Sequence, residues 1–308
     1  MLIFVGLLAA LLAFACAWIV SILVADRLLG KEGVVERMAA AYCLAFWLSS
    51  WLFQVLALLG AFRLSSLLPV VVVGPATGIW FWRTEVRQIL GRTARELLDE
   101  LRALGRDLLR HRWVAAALGL IGFHVLLRML RTMATPSFGW DDFTYHLYRA
   151  GRWVQGSGLE LESAPDAWTY YEFFPWGGDL VWAWALVWRA GDGLVPLGAI
   201  GLWLGVLLAG YAVASRLGQS RSTELIIATA VAVLPCQISQ MSTAYVDNAV
   251  LAMVLSASLF LLVLLDRERE LSAAAFLLGA ACGVGLLVKM SFLPLFLPAS
   301  LIVAWLAW

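Results

Sequence analysis

Charged residues are scarce in this chain. They make up 14% of its 308 residues, against roughly 25% in an average soluble domain. Hydrophobic residues make up 62%, and the mean hydropathy is +0.86. A water-soluble globule could not bury this much apolar surface, so the composition excludes one. The net charge of +1 gives no indication of a nucleic-acid partner.

Cysteine and histidine are also few. The four cysteines lie in apolar stretches without CxxC spacing, which is typical of small core residues and not of a disulfide frame or a metal site; they are Cys16, Cys43, Cys236 and Cys282. The three histidines are too scattered for a histidine-based metal centre; they are His111, His124 and His146.

Long apolar runs are what the sequence has instead. A spanning helix needs about 20 mostly apolar residues, and nine candidates qualify: residues 2–24, 38–59, 65–82, 113–130, 193–215, 224–240, 248–265, 272–288 and 292–308. The first has no basic leader or clear cleavage site, so we expect it to be retained. Pro69, Pro75, Pro235 and Pro294 are expected to kink or end their helices. The last run reaches residue 308, and we expect a fragment or a shortened member of its class.

Residues 83–112 differ from the rest. They hold eight arginines against five acids, with leucine and isoleucine at helical spacing. This pattern predicts an amphipathic helix on an anionic membrane face, with a solvated helical linker as the alternative. In either case the arginines place it in the cytoplasm.

That assignment fixes the predicted topology. Residues 113–130 then run outward, and residues 132–192 form an outer loop. The short, Trp-rich stretch 179–187 is predicted to lie at the outer interface, where tryptophan prefers to sit. Asp247 and Lys289 fall on the outer side as well, together with a polar island of sequence WDDFTYH at residues 140–146. Ionisable groups are costly near hydrocarbon, so this island is the first candidate for a functional site.

The second half of the chain resembles the GT-C superfamily of polytopic glycosyltransferases, which includes protein O-mannosyltransferases, aminoarabinose transferases and lipopolysaccharide-sugar transferases. The resemblance covers roughly residues 113–308. It depends on the order of five pieces: WDDFTYH at 140–146, YYEFFPW at 170–176, ASRLG at 214–218, STAYVD at 242–247 and GVGLLVK at 283–289.

The resemblance implies a catalytic membrane core at residues 113–308. The three-helix membrane segment predicted at 1–82 and the arginine-rich amphipathic helix at 83–112 lie outside the resemblance. The expected fold is an all-α polytopic membrane protein with about nine transmembrane helices, outer-face juxtamembrane helices and a cytoplasmic amphipathic helix. The expected activity is transfer of a sugar from a polyprenyl-phosphate donor to a glycan, lipid or protein acceptor at the outer face. The expected location is a bacterial plasma membrane.

Sugar transfer needs a base for the acceptor hydroxyl and a cation for the departing phosphate. Asp141 and Asp142 are the candidate bases. Adjacent helical positions point about 100° apart, so one is expected to do the chemistry. The other would cap the following helix or pair with Arg149 or Arg152. The resemblance favours Asp141, and Asp142 is the runner-up.

The remaining candidates bind substrate. His146 is expected to bond an aspartate or the donor phosphate, or else a backbone group. Tyr145 either anchors the helix at headgroup level or touches the sugar. Arg149 and Arg152 are secondary candidates for binding the phosphate.

Asp247 begins a helix, where a carboxylate is favourable on dipole grounds alone, and it could also orient the acceptor. Lys289 either pairs with the lipid-linked phosphate or snorkels to headgroups. We predict no cofactor and no metal, although these acids have the oxygen ligands that Mg²⁺ or Mn²⁺ would need. Two other functions stay open: a transporter or lipid flippase, and a non-catalytic membrane subunit with a similar fold.

Overall fold

The computed structural model describes residues 2–137, 139–159, 174–188, 191–266 and 271–307. Within these residues every regular element is helical, in agreement with the predicted all-α class. The α-helices are α1 (Leu2–Leu28), α2 (Val34–Leu58), α3 (Leu64–Leu67), α4 (Gly74–Phe81), α5 (Arg83–Arg110), α6 (Arg112–Ala134), α7 (Leu147–Gly156), α8 (Asp179–Leu186), α9 (Val195–Arg216), α10 (Arg221–Ala232), α11 (Pro235–Ser239), α12 (Asp247–Leu265), α13 (Leu271–Val288) and α14 (Phe292–Ala307).

Seven helical segments of the described chain are long and apolar enough to cross a membrane, or eight if one bent pair counts as a span. The predicted helical membrane protein is therefore confirmed, whereas the predicted number of about nine spans is not. The difference falls on two candidates. Residues 224–240 are bent, and α14 has 16 residues.

Prolines explain two irregular spans. A π-helix, Leu68–Val73, joins α3 to α4, and the amide of Gly74 donates to the carbonyl of Pro69 five residues earlier. Pro75 lacks an amide hydrogen and crowds the carbonyl four residues before it, so the regular helical ladder cannot continue there. Pro235 begins α11, and the path bends by 66° between α10 and the segment Pro235–Ser242. The freed carbonyl of Ala232 accepts a hydrogen bond from Trp203 Nε1 at 2.7 Å, so the break leaves this group satisfied.

The core lies around α9 and α12, which pack against each other. In addition, α9 packs against α10, and α12 packs against α13. Small residues are prominent among the buried residues of α9 and α12, and such residues let helix backbones approach closely; they include Ala199, Ala209, Ala212, Ala249, Ala252 and Ala257. The first helices join this core, because Tyr42 of α2 lies directly against Gly205 of α9. The predicted division of the chain into three segments, with boundaries at residues 82 and 112, stays a prediction.

Charged side chains from several helices meet at one end of the bundle, which we call the Arg37 end. Arg37 is buried and contacts Asp26 of α1 and Glu96 of α5, and it donates to the carbonyl of Glu32 at 2.6 Å. Arg92 of α5 also pairs with Asp26. Residues of α5 are thereby fixed to the ends of α1 and α2.

The carboxyl-terminal end of α9 belongs to the same cluster. Arg216 lies 3.0 Å from Glu32 and 3.6 Å from Asp266, which follows α12. Arg221, at the start of α10, pairs with Glu100 of α5 at 2.8 Å. The arginine-rich stretch and the links after α9 and α12 therefore share one end of the bundle. Which end faces the cytoplasm stays a prediction.

Candidate functional site

The polar island lies at the opposite end, which we call the Asp179 end. Asp142–His146 forms a π-helix that continues into α7, where the sequence predicts a single α-helix over 143–155. A π-helical turn widens the helix by one residue, and such turns are frequent at functional sites. Asp142 and His146 are both buried in this turn.

Asp142 fixes the island to the start of α12. Its Oδ2 accepts a hydrogen bond from Ser137 Oγ at 2.7 Å, and its Oδ1 accepts one from the amide of Ala244 at 2.8 Å. Burial raises the pKa of the Asp142 carboxyl, and these hydrogen bonds act in the opposite direction. The predicted roles for the non-catalytic acid of the pair are therefore wrong for Asp142, because it neither caps the helix nor pairs with Arg149 or Arg152.

Asp179 is a functional candidate that the sequence prediction missed. This carboxylate, 1% exposed, begins α8, and its Oδ1 contacts His146 Nδ1. Its Oδ2 accepts a hydrogen bond from Arg149 Nη1 at 2.8 Å. His146 thus bonds an aspartate, as one alternative predicts, but the aspartate is neither member of the island. The available signal was an acid directly before the apolar, Trp-rich run of α8.

Asp141 and Tyr145 lie on the more open side of the island. Asp141 is half-buried, and Tyr145 donates a long hydrogen bond of 3.4 Å to its Oδ2. Burial raises the pKa of the Tyr145 hydroxyl well above its usual range, and the neighbouring carboxylates of Asp141 and Asp179 raise it further. The Arg149 guanidinium lies 5.8 Å from the centre of the Tyr145 ring.

Asp247 and Lys289 meet as a pair at the same end. Lys289 Nζ donates to Asp247 Oδ1 at 2.6 Å, and Gln240 Nε2 donates to Oδ2 at 2.8 Å. The side chain of Asp247 is 37% exposed, and that of Lys289 is 43% exposed. Asp247 begins α12, as predicted. A half-exposed pair can exchange partners with an incoming charged ligand more easily than a fully buried pair can.

Two glycines set the position of α8 and therefore of Asp179. The amide of Gly177 donates to the carbonyl of Leu287 at 2.9 Å, close to Lys289. A Cβ atom on Gly177 would lie 2.7 Å from that carbonyl, and one on Gly178 would lie 2.7 Å from the Cβ of Val246. Glycine is needed at both positions for this close approach, not for an unusual backbone angle, since Gly178 has φ −68°.

Gly178→Ala is expected to destabilise the protein by about 1–3 kcal/mol, because the added methyl group has no space against the buried, β-branched Val246. Gly151→Ala is the matched control. It lies in α7 of the same end with open space around it, and alanine in a helix interior favours the folded state by roughly 0.5–1 kcal/mol. Thermal unfolding of both variants in detergent measures the difference. Equal stability of the two variants would contradict the close packing at Gly178.

Neither of two clefts in the described part of the chain is lined by Asp141 or Lys289. The larger, of about 360 Å³, lies at the Arg37 end between Glu32, Arg37, Glu96 and Arg221. The smaller lies between α6, α9 and the segment 241–243, and hydroxyl groups line much of it, including Ser137, the hydrogen-bond partner of Asp142. Among the described residues no group of three or more His, Cys, Asp or Glu side chains could hold a metal ion.

Arg152 lies on α7, one turn beyond Arg149. Part of the predicted outer loop, including residues 170–173 of the aromatic segment, lies outside the described residues.

The described chain thus defines a helical membrane protein with a charged and aromatic site at one end of its bundle. Comparisons with protein-family models, with curated proteins and with solved structures found no match.

Proposed function

We propose that this chain is a membrane glycosyltransferase that moves a sugar from a polyprenyl-phosphate donor to a glycan, lipid or protein acceptor. The observation that carries the proposal is the grouping, at one end of an apolar bundle, of carboxylates and cations from separate parts of the chain. The Asp179–His146–Arg149 cluster, Asp141 and the Asp247–Lys289 pair all lie there. A donor whose phosphate is anchored to a lipid tail can reach groups only at such a membrane edge.

Asp141 is the proposed general base. A base must have a carboxylate that can reach the acceptor hydroxyl. Asp142 is fully buried and uses both oxygens on Ser137 and Ala244. Asp141 is half-buried, and its long hydrogen bond from Tyr145 leaves the carboxylate more available. The geometry therefore supports the choice that the family resemblance favours.

The arginines support an orientation for the proposed enzyme. Short loops rich in Lys and Arg stay in the cytoplasm, and α5, which has seven of the eight arginines of residues 83–112, lies at the Arg37 end. We therefore place the Asp179 end outside, in the plasma membrane of a bacterium, where lipid-linked sugars reach acceptors of the cell envelope. The exposed arginines of α5 would face anionic headgroups or solvent on the inner side.

A reconstituted transfer assay tests the proposal. The purified chain, in vesicles with accessible Asp179 ends, is incubated with a panel of polyprenyl-phosphate sugars and with membrane-extracted acceptors. We expect at least one donor to lose its sugar to an acceptor and to release polyprenyl phosphate, and protein-free vesicles to show neither. The absence of transfer with every donor would reject the glycosyltransferase.

The bent pair α10–α11 is the observation that favours a lipid flippase instead, because transporters often break helices near their binding sites. The same vesicles separate the two functions. A flippase would move a fluorescent polyprenyl phosphate between leaflets without cleaving a sugar from its donor. A non-catalytic subunit would do neither.

Lys289→Met is expected to raise the KM for the donor about tenfold or more, since a hydrogen bond to a charged partner contributes about 1.5–3 kcal/mol. The KM for the acceptor should change much less. Lys31→Met, the only other lysine in the sequence, is the control, because it lies before α2 at the Arg37 end. An unchanged donor KM in Lys289→Met would reject a phosphate role for this residue.

A further inference from the structure

His146 has one nitrogen fixed and one nitrogen available. Its side chain is 5% exposed, and Nδ1 contacts Asp179 Oδ1. Among the described residues, Nε2 has no hydrogen-bond partner. The rings of Tyr145 and Tyr245 lie nearby, with centroids 4.1 and 6.3 Å from that of the imidazole. A carboxylate on Nδ1 holds the imidazole in one orientation and stabilises its protonated form, as in the carboxylate–histidine pairs of enzymes.

The groups that face His146 come from four elements. Asp179 comes from α8, Arg149 from α7, Asp142 and Tyr145 from the π-helix, and Tyr245 from the segment before α12. Arg149 bonds the second oxygen of Asp179, so one cation already balances that carboxylate. Protonation of His146 would therefore add one positive charge beside an ion pair that is already balanced. The buried carboxylate of Asp142, which accepts hydrogen bonds from Ser137 and Ala244, also faces this charge.

We infer that Asp179 is a positioning residue that directs Nε2 of His146 toward the lipid-linked phosphate, and that protonated His146 binds this phosphate. The inference rests on the proposed function for the identity of the ligand, a polyprenyl phosphate. Lys289 is paired with Asp247 and Arg149 with Asp179. Lys289 is half-exposed and keeps its proposed role toward the same phosphate. His146 is the buried side chain of this cluster with a second nitrogen that no described residue occupies.

Binding should depend on pH in a direction that identifies the imidazole. An imidazole is the side-chain cation that ordinarily loses its charge between about pH 5 and 8, so a phosphate bound by a protonated imidazole should be released as the pH rises. The phosphate itself behaves in the opposite way, because its second ionisation near pH 6 gives it more negative charge as the pH rises. A fall in affinity toward alkaline pH therefore reports the loss of a cation in the protein and not a change in the ligand.

The test measures binding of a fluorescent polyprenyl phosphate to the full chain in lipid nanodiscs at pH 5.5 and pH 8. In the unaltered chain we expect affinity to fall about tenfold or more at the higher pH. His146→Gln should bind weakly at both pH values. His111→Gln, an exposed histidine at the end of α5, should behave like the unaltered chain.

Asp179 is tested by a pair of variants. Asp179→Asn should lower the affinity at pH 5.5 and flatten the pH dependence, because the amide neither fixes the same imidazole form nor stabilises its charge. Asp179→Glu should restore part of the affinity at pH 5.5 and part of the pH dependence. A purely structural role would lower the fraction of folded protein, measured by size exclusion and thermal unfolding, without changing the pH profile of the folded fraction.

Three results would overturn the inference: no binding at either pH, a pH dependence that survives in His146→Gln, or equal competition by inorganic phosphate, which would exclude the lipid as the source. The transfer assay is separate. Sugar transfer without pH-dependent binding would reject the histidine role alone, whereas pH-dependent binding through His146 without transfer by any donor would reject the glycosyltransferase alone.

Discussion

Asp141→Asn is expected to reduce sugar transfer by about 10²–10⁴-fold, the range that a positioned general base contributes. The amide keeps the size of the side chain but cannot take a proton from the acceptor hydroxyl. Among the described residues the only hydrogen bond of Asp141 is the 3.4 Å one from Tyr145. The variant should therefore keep its stability and its insertion, which thermal unfolding and gel filtration measure beside the transfer rate.

Asp142→Asn is the matched control at the neighbouring position. Asparagine can still accept from the amide of Ala244 and donate to the hydroxyl of Ser137, so this variant should fold and retain most of its transfer activity. If Asp141→Asn were fully active, Asp141 would not be the base. Loss of transfer in Asp142→Asn alone would assign that role to Asp142.

Charge and hydropathy patterns were sufficient to group distant residues at the same end of the bundle. The arginines of residues 83–112 indicate which end of the bundle is cytoplasmic. Counting the membrane spans that follow them places Asp247 and Lys289 together at the opposite end. They meet at 2.6 Å. The approach succeeds because each spanning helix takes the chain from one end of the bundle to the other. Once the charge of one loop assigns it to a side of the membrane, the side of every later loop is constrained.

The same patterns could not predict partners between helices. His146 and Asp179 lie 33 positions apart, and no helical spacing relates them. Their contact depends on how α8 sits against the end of α13, where Gly177 meets Leu287. The π-helical turn also escaped prediction, since rules for regular helices place Asp142 as a cap and give it no bond across to Ala244.

The charged cluster of the Arg37 end was hidden for a different reason. The prediction treats residues 38–59 as the second span, so Arg37 falls outside that span. In the structure α2 begins earlier, at Val34, and Arg37 is enclosed by α1, α5 and the preceding turn. Hydropathy reports how apolar a segment is, but it does not report which charges become buried against one another.

Arg37→Met is expected to destabilise the protein by about 3–5 kcal/mol, the effect of removing one partner from a buried ion pair. The side chain is 7% exposed and contacts two carboxylates and the carbonyl of Glu32. Methionine preserves much of the apolar volume but leaves the buried Asp26 with less positive charge around it. The free energy of unfolding in detergent, or the midpoint of thermal unfolding, measures the loss.

Unfolding of the Arg37→Met variant should begin at α5. Because Arg37 connects α2 to Glu96, its removal should release that helix and expose its many arginines to trypsin before the rest of the bundle unfolds. Arg27→Met is the control, since Arg27 also joins α1 to α5, through Glu85, but as an exposed pair. Exposed pairs contribute little to stability, so Arg27→Met should unfold and be cleaved almost as the unaltered chain is. If the two variants were equally stable and equally resistant to trypsin, burial of Arg37 would not be what holds α5 against the bundle.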